Sequence, residues 1–378
     1  MSMEMKQYKV KDVVSRVIDN RGRNADYFEN EKYPIIDNYM IKNMLHPDLN
    51  TATRFLSEEQ FQNFLRGYIK ENDLLITLVG GIGNVSLAPH STCAIVQNTI
   101  GLTFKEENCD SHYAYYYFKT IQYAIRNLNR GISQPSVNRE DVLGLKLWLP
   151  MIGCQRRIAQ VLLAYDNLIE VNNKRIKVLE QMAENLYKEW FVRFRFPGHE
   201  TAEFENGIPK GWEYRKLNTM LDVRYGKDHK SLDDGNIPVF GSGGIMRFGN
   251  KALFTGEVVL IPRKGTLNNI MYYNGSLWTV DTMFYSVPTI DNFAKYAYYT
   301  LASIDMESYN SGAALPSMTT DILYHFRLLV PDKSTLEAFD EFVSGVFEQR
   351  EALKKVNEKL IAQRNLLLPR LMSGKLEV

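Results

Sequence analysis

QRRIAQVLLAYDNLIEVNNKRIKVLEQMAENLYKEWF, residues 155–191, contains neither proline nor glycine, and its reading decides the fold. Ile158, Leu162, Tyr165, Ile169, Asn172, Ile176, Leu179, Ala183, Leu186 and Trp190 follow one another in alternating steps of four and three. Only Asn172 among them is polar. An apolar residue about every 3.5 positions keeps one side of a helix facing a partner, so the spacing predicts a seam sustained for over four heptads. At 1.5 Å per residue the helix is roughly 55 Å long. No single-domain core is that long, so a second long helix has to face it.

The partner lies in the same chain. Adding 181 to each seam position gives Phe339, Val343, Val346, Arg350, Leu353, Asn357, Leu360, Arg364, Leu367 and Leu371, of which seven are apolar. Ser334 with Glu337 three residues later reads as a capping box opening this helix. Pro369 is expected to kink or fray its last turn, and Pro197-Gly198 to stop the first helix.

The direction of the pair follows from the two asparagines. A seam asparagine is costly unless it meets another polar group. Parallel helices aligned by the repeat set Asn172 against Leu353 and Asn357 against Ile176, leaving two buried amides unpaired at about 1–3 kcal/mol each. Antiparallel helices set Asn172 opposite Asn357, Ile169 against Leu360, Ile158 against Leu371, and Trp190 against Phe339. Arg364 then falls beside Tyr165, in reach of a cation–π contact. The expectation is an antiparallel coiled coil.

The offset of 181 extends beyond the helices. GISQPSVNREDVLGLKLWLP at 131–150 aligns with GAALPSMTTDILYHFRLLVP at 312–331, and Asp110 and Asp291 each precede the aligned glycine by 21 residues. NDLLIT at 72–77 resembles GEVVLI at 256–261. Between these marks the halves differ. The plan is a mixed α+β unit over 1–150, a long helix over 151–196, a linker and second unit over 197–332, and a second long helix over 333–378. The first unit offers strand-like runs at 74–81 and 93–104 and a helical stretch at 111–128.

Composition narrows the function. Charged residues make up 24% of the chain and the net charge is +1, so basic patches on particular faces have to do what overall charge does not. The longest apolar runs fall short of a membrane span and the N-terminus lacks a signal-peptide core. Three isolated cysteines, Cys93, Cys109 and Cys154, read as reduced thiols of a cytoplasmic protein, with no metal-ligand spacing. Gly81-Ile82-Gly83 follows a strand but leads into another strand, so it reads as a turn and not as a nucleotide cradle. The six histidines pair with no nucleophile in a recognisable motif. Neither an acid–base set nor a metal site emerges.

Binding chemistry remains. Arg16, Arg21 and Arg23 bracket a glycine turn, and Gln134, Ser136, Asn138 and Arg139 lie on the 131–140 loop. Tyr225, Lys227 and Lys230, with Arg263, Lys264 and the repeat-matched Ser317, form basic loops in the second unit. Arginine reads guanine, asparagine and glutamine read adenine, and serine and lysine bind phosphate. Matching loops of this kind on two units point to DNA. A coiled-coil scaffold binding only proteins is the alternative.

Over its whole length the chain resembles the specificity subunit of type I restriction-modification enzymes. The resemblance rests on the order of variable unit and long helix, repeated, and on LPMIGCQRRIAQVLLAYDNLIEVNNKRIKVLEQM, GIPKGWEYRKL, ALPSM and NLLLPRLMSGKLEV. It implies a non-catalytic subunit whose two target recognition domains each read half of a split double-stranded DNA site. It implies a pseudo-twofold repeat, with the helix pair spacing the domains and docking two methyltransferase subunits. Those partners would carry S-adenosylmethionine, and motor-nuclease subunits would join for cleavage. Leu315 stands where the first unit has Gln134, so no equivalent glutamine contact is implied there.

Overall fold

The structure is a computed structural model and describes residues 4–22, 27–29, 31–42, 44–131, 135–310, 312 and 316–377. Its contacts divide the chain into two units, residues 1–172 with 355–378, and residues 173–354.

In the first unit the opening segment alternates sharply. Strand β1 (Lys6–Lys9) gives way to one helical turn, α1 (Val10–Val13), and then β2 (Val14–Ile18). Strands β3 (Tyr33–Ile36) and β4 (Phe55–Leu56), helix α2 (Glu58–Asn63), and strands β5 (Leu74–Thr77), β6 (Val85–Leu87), β7 (Ala94–Ile95) and β8 (Thr99–Phe104) follow. The 93–104 run is therefore two strands, because Asn98 takes a left-handed φ of 65° between them. Helices α3 (Ser111–Thr120), α4 (Gln122–Arg126) and α5 (Arg139–Leu143) precede β9 (Lys146–Leu149) and α6 (Ile152–Tyr187). The sheets run β2-β8-β5-β6 and β4-β3-β7, and β1 pairs with β9. The β3–β7 pairing is parallel.

Tyr113, Tyr115, Tyr116 and Phe118 of α3 are fully buried, so its aromatic residues form core on more than one side. They join Ile158, Ala159 and Leu162 of α6, and Leu371 and Met372 near the C-terminus, in one cluster. Gln155, also fully buried, fixes the start of α6. Its amide donates to the Asn108 and Pro150 carbonyls at 2.9 Å each and its oxygen accepts from Asp110 N–H at 3.0 Å.

The second unit opens with a short hairpin, β10 (Phe204–Glu205) and β11 (Ile208–Pro209), so the linker expected at the start of the 197–332 segment carries structure of its own. Next come β12 (Glu213–Lys216), β13 (Leu221–Tyr225), β14 (Asp234–Gly241), β15 (Gly244–Gly249), β16 (Phe254–Pro262), β17 (Met271–Thr279) and β18 (Met283–Pro288). Helices α7 (Ala294–Ala302) and α8 (Thr320–His325), strand β19 (Arg327–Val330) and helix α9 (Lys333–Met372) complete the chain. The main sheet runs β13-β18-β16-β17-β14-β15, and β12 pairs with β19. Strand for strand this order matches the first unit, with β17 doing in one piece what β6 and β7 do in two. β14 even repeats the parallel pairing, with the end of β17. The starts of α5 and α8, β9 and β19, and α6 and α9 all differ by 181 residues.

Three local expectations change. Asp332, not Ser334, caps α9: its carboxylate accepts from Thr335 N–H at 3.0 Å and from the hydroxyls of Ser334 and Thr335. Glu337 instead pairs with Lys333 one turn back, at 3.6 Å. Burial opposes ionisation of Asp332, but these bonds and one from Trp212 Nε1 outweigh it and hold the carboxyl down to about 2. The helix runs through Pro369 to Met372. The first helix ends before Pro197-Gly198. Its α-geometry stops at Tyr187, a π turn covers Lys188–Val192, and Phe194 takes a φ of 56°. That turn brings Phe191 against Trp212 and Phe339, at ring separations of 5.8 and 4.9 Å. Asp110 caps α3 by accepting from Tyr113 N–H at 3.0 Å, whereas α7 starts at Ala294 with no side-chain cap.

Within each unit the two long helices run antiparallel. In the first, Asn172 donates to Asn357 at 2.8 Å with both residues buried, the pair expected from the seam. Arg364 binds the carboxylate of Asp166 instead of stacking on Tyr165, because a buried carboxylate holds a guanidinium more strongly than a ring face does. Tyr116 donates to the other oxygen of Asp166 at 2.5 Å. In the second unit Trp190 packs against Phe339 with tilted rings 5.9 Å apart, and Arg350 reaches Glu180 at 3.7 Å. Seam positions Ile158, Leu162, Ile176, Phe339, Val343, Val346 and Leu371 are buried, and Tyr165, Ile169, Leu179, Leu186, Leu353, Leu360 and Leu367 are half-buried.

Candidate nucleic-acid interface

In the first unit the loop after α4 is closed by one side chain. Asn129 Oδ1 accepts from Gly131 N–H at 3.0 Å and Ser136 N–H at 2.8 Å, and its amide donates to Gly131 O at 3.3 Å. The loop's far limb docks on the chain leaving β5: Ser136 bridges Val79, and Val137 N–H donates to Leu78 O at 2.9 Å. Asn38, just beyond β3, donates to Val79 O at 3.1 Å from the other side. Gly80 has a φ of 79°, and a Cβ there would sit 2.6 Å from the Asn38 amide, so a side chain would be strained and would push that amide off Val79.

Asp19, at the end of β2, ties this corner together. Arg21 binds it through two nitrogens at 2.9 and 2.8 Å, and Arg139, at the start of α5, approaches it to 3.5 Å. Burial pushes the Asp19 carboxyl up, but the hydrogen bonds and charges of the two arginines prevail and hold it below its usual value. The carboxylate thus lies between two guanidiniums whose side chains stay 31% and 41% exposed, and Arg139 also binds the Glu140 carboxylate through two nitrogens at 3.0 and 2.7 Å.

The second unit builds the same corner. Asn310 Oδ1 accepts from Gly312 N–H and Ser317 N–H at 2.8 Å each, and its amide donates to Gly312 O at 3.0 Å. Ser317 bridges Lys264, and Met318 N–H donates to Arg263 O at 2.8 Å. Asn269 donates to Ser242 O at 2.7 Å, joining the β14–β15 turn to the same place. Where the first unit has Asp19 and Arg139, the second has Tyr225 and Thr320, whose hydroxyls lie 3.2 Å apart. The Arg263 guanidinium sits 5.3 Å from the Tyr225 ring centre. Lys227 is fixed through its backbone, donating to Thr279 O at 2.9 Å, with its residue exposed. Gly226 beside it is required, since a Cβ would meet Val280 O at 2.0 Å.

The structure therefore gathers Arg21, Ser136 and Arg139 in one unit, and Tyr225, Arg263, Lys264 and Ser317 in the other. Asn138 and Lys230 are exposed nearby in sequence, and the Asn138 side chain makes no cap bond to α5. Arg16 is not part of the corner. Its guanidinium is held by Asp73 at 3.4 Å, at the far end of β5 from Leu78. Arg23 and Gln134 lie outside the described residues. Asp19, Asn38, Asn129, Asn269 and Asn310 were not singled out from sequence. Two of them carry a sequence signal: NRGISQPS at 129–136 and NSGAALPS at 310–317 share their asparagine at the same offset, two residues before the aligned glycine.

Each corner presents guanidinium, ammonium, hydroxyl and amide donors on loops, the groups that bind phosphates and base edges. Among the described residues no three His, Cys, Asp or Glu gather into a metal-holding group, and no helix is long and apolar enough to cross a membrane. Burial pushes the Cys93 thiol up to about 12 and that of Cys109 higher still, which makes both poor nucleophiles.

Comparison with known proteins fits this picture. The MjaIX type I restriction enzyme specificity subunit of Methanocaldococcus jannaschii is 26% identical over 359 residues, covering 84% of this chain and 82% of its own. The MjaVIII specificity subunit of the same organism is 23% identical over 346 residues, covering 82% and 80%. The crystal structure of the type I restriction-modification S subunit from M. genitalium shares the fold, with a TM-score of 0.64 at 16% identity over 98% of this chain and 96% of that one. The type I restriction modification DNA specificity domain model matches residues 3–181 and again 209–360. With two such matches spanning most of its length, the chain belongs to the type I restriction-modification DNA specificity family, whose members are recognition subunits and not catalysts.

Proposed function

We propose that this chain is the cytoplasmic subunit that chooses the DNA sequence for a type I restriction-modification complex. Residues 1–150 and 197–332 act as two target recognition domains, each reading one half of a bipartite double-stranded site. The helices over 151–196 and 333–378 form an antiparallel coiled coil relating the domains by a pseudo-twofold. They set the unspecified gap and dock two methyltransferase subunits, which bring the S-adenosylmethionine; restriction or motor subunits complete the assembly. The first unit reads through Arg21, Ser136, Asn138 and Arg139, and the second through Tyr225, Lys227, Lys230, Arg263, Lys264 and Ser317. Arg16, expected among the readers, is better assigned to holding β2 against β5.

One observation carries this reading: a single corner design occurs twice with different side chains at its exposed positions. A protein that binds one partner twice has no need to vary them; a reader of two different half-sites does. The test is methylation of a random duplex pool by the chain purified with its methyltransferase partner. Modified adenines are expected inside one bipartite sequence, and methylation without sequence preference would refute the assignment.

A further inference from the structure

One edge of the second unit is apolar where the first unit is built differently. β14 turns into β15 through Ser242-Gly243, and β15 forms one edge of the six-stranded sheet. Ile245, Met246 and Phe248 of this strand are 52%, 58% and 50% exposed. Arg247 among them is tied back to Leu232 O at 2.9 Å and to Asp234 at 3.0 Å. Edge strands are ordinarily blunted with charge, and a group of exposed apolar side chains marks a binding surface. The backbone of Gly241 leaves room for the Met246 thioether to lie across the hairpin, since a Cβ there would run into its sulfur. The tip of the hairpin adjoins the corner. Asn269 donates to Ser242 O at 2.7 Å, and a Cβ on Gly265, next to Lys264, would lie 2.9 Å from the Ser242 hydroxyl. Phe240 pairs with Thr279, whose carbonyl accepts from Lys227 N–H at 2.9 Å. In the first unit the strand equivalent to β14 is β3. It runs into a 3₁₀ turn at Asn38–Met40, and β4 begins only at Phe55. A methyltransferase docked twice would need the same feature in both units, whereas a half-site belongs to one.

We infer that the β14–β15 hairpin enters the major groove of the half-site read by the second unit, with Met246, supported by Ile245, packed against a thymine methyl group. This rests on the DNA-recognition reading above. The major groove admits a two-stranded β-ribbon, and the thymine methyl is the apolar group that base edges present there. Lys227 and Lys264 beside the tip supply polar contacts, and the thioether meets a group that no donor or acceptor can recognise.

The experiment uses the full complex with methyltransferase and duplexes carrying its bipartite site. Thymines in both halves are replaced one at a time by deoxyuridine, which lacks only the methyl group, and affinity is measured. The unaltered chain is expected to bind a duplex substituted in one half about fourfold more weakly, the worth of one buried methyl-sized group. Met246→Ala should bind the thymine duplex more weakly by a similar factor and lose nothing further when that thymine becomes deoxyuridine. Met246→Leu keeps the apolar volume and should restore the discrimination. Both variants should melt like the parent, because the side chain is exposed. A parent that prefers one sequence yet ignores deoxyuridine at every thymine would overturn the inference and leave the functional assignment standing. A Met246→Ala complex that keeps the full penalty would also overturn it, since another residue would then meet the methyl. Loss of methyltransferase from that complex would overturn it by making the hairpin a protein-docking element. A parent without any sequence preference would overturn the functional assignment and this inference together.

Discussion

The corner that Asp19 and Arg139 close in the first unit is closed in the second by Tyr225 and Thr320. Strand order, loop closure and docking bonds are alike around both, so the difference isolates what the fold leaves free. A charged pair on one side and two hydroxyls on the other can occupy the same place because the backbone bonds hold the corner. The long helices show a related contrast. In the first unit they meet through the Asn172–Asn357 pair and the Asp166–Arg364 pair, and in the second through Trp190, Phe191 and Phe339. Polar seams specify register at a cost in stability, whereas aromatic seams add buried area.

The contrast can be broken most severely at Asp166. Arg364→Met leaves the buried Asp166 carboxylate without its guanidinium partner, and is expected to destabilise the first unit by about 3–5 kcal/mol. Urea unfolding followed by signals from each unit measures it. A loss confined to the second unit would contradict the packing described.

A smaller effect is expected at the asparagine pair. Asn172→Ala removes the buried hydrogen bond that Asn357 accepts across the seam and should cost about 1–3 kcal/mol. Replacing both asparagines by leucine should recover most of that loss, since an apolar seam needs no polar match. A double variant less stable than the single one would show that the amides do more than satisfy each other.

The smallest effect sharpens the comparison of the two corners. Arg139→Ala removes a partly exposed charge contact and should cost about 0.2–1 kcal/mol, less in high salt. Thr320→Ala, at the matching position, should change stability by less than about 0.5 kcal/mol and show no salt dependence. Equal salt dependence in both would mean that the corners are chemically alike after all.

Much of this was legible before any coordinates. The helix pair was readable because a 3.5-residue period persists over many turns, and its direction because two asparagines satisfy each other in one arrangement only. The matched segments at 131–150 and 312–331 gave the starts of α5 and α8, β9 and β19, and α6 and α9. What escaped was set by contacts distant in sequence. The seam pattern alone sets Arg364 beside Tyr165; Asp166 lies one residue off the seam and is brought in by Tyr116 from the globular part. Arg16 resembled Arg21 in sequence, but strand pairing with β8 and the charge of Asp73 decide where it points. Asp19 could not be seen as the spacer of two arginines, because one of them comes 120 residues later. The cap of α9 lies at Asp332, two residues before Ser334, where Trp212, 120 residues earlier, adds a fourth donor to those of Ser334 and Thr335.

The central claim is that one scaffold carries two independent readers. It is tested most directly by replacing residues 1–150 with the corresponding segment of a relative of different specificity, and mapping the adenines methylated by the reconstituted complex. The account predicts new bases in one half-site, with the other half and the gap between them unchanged. New bases in both halves, or a changed gap with the original bases retained, would contradict it.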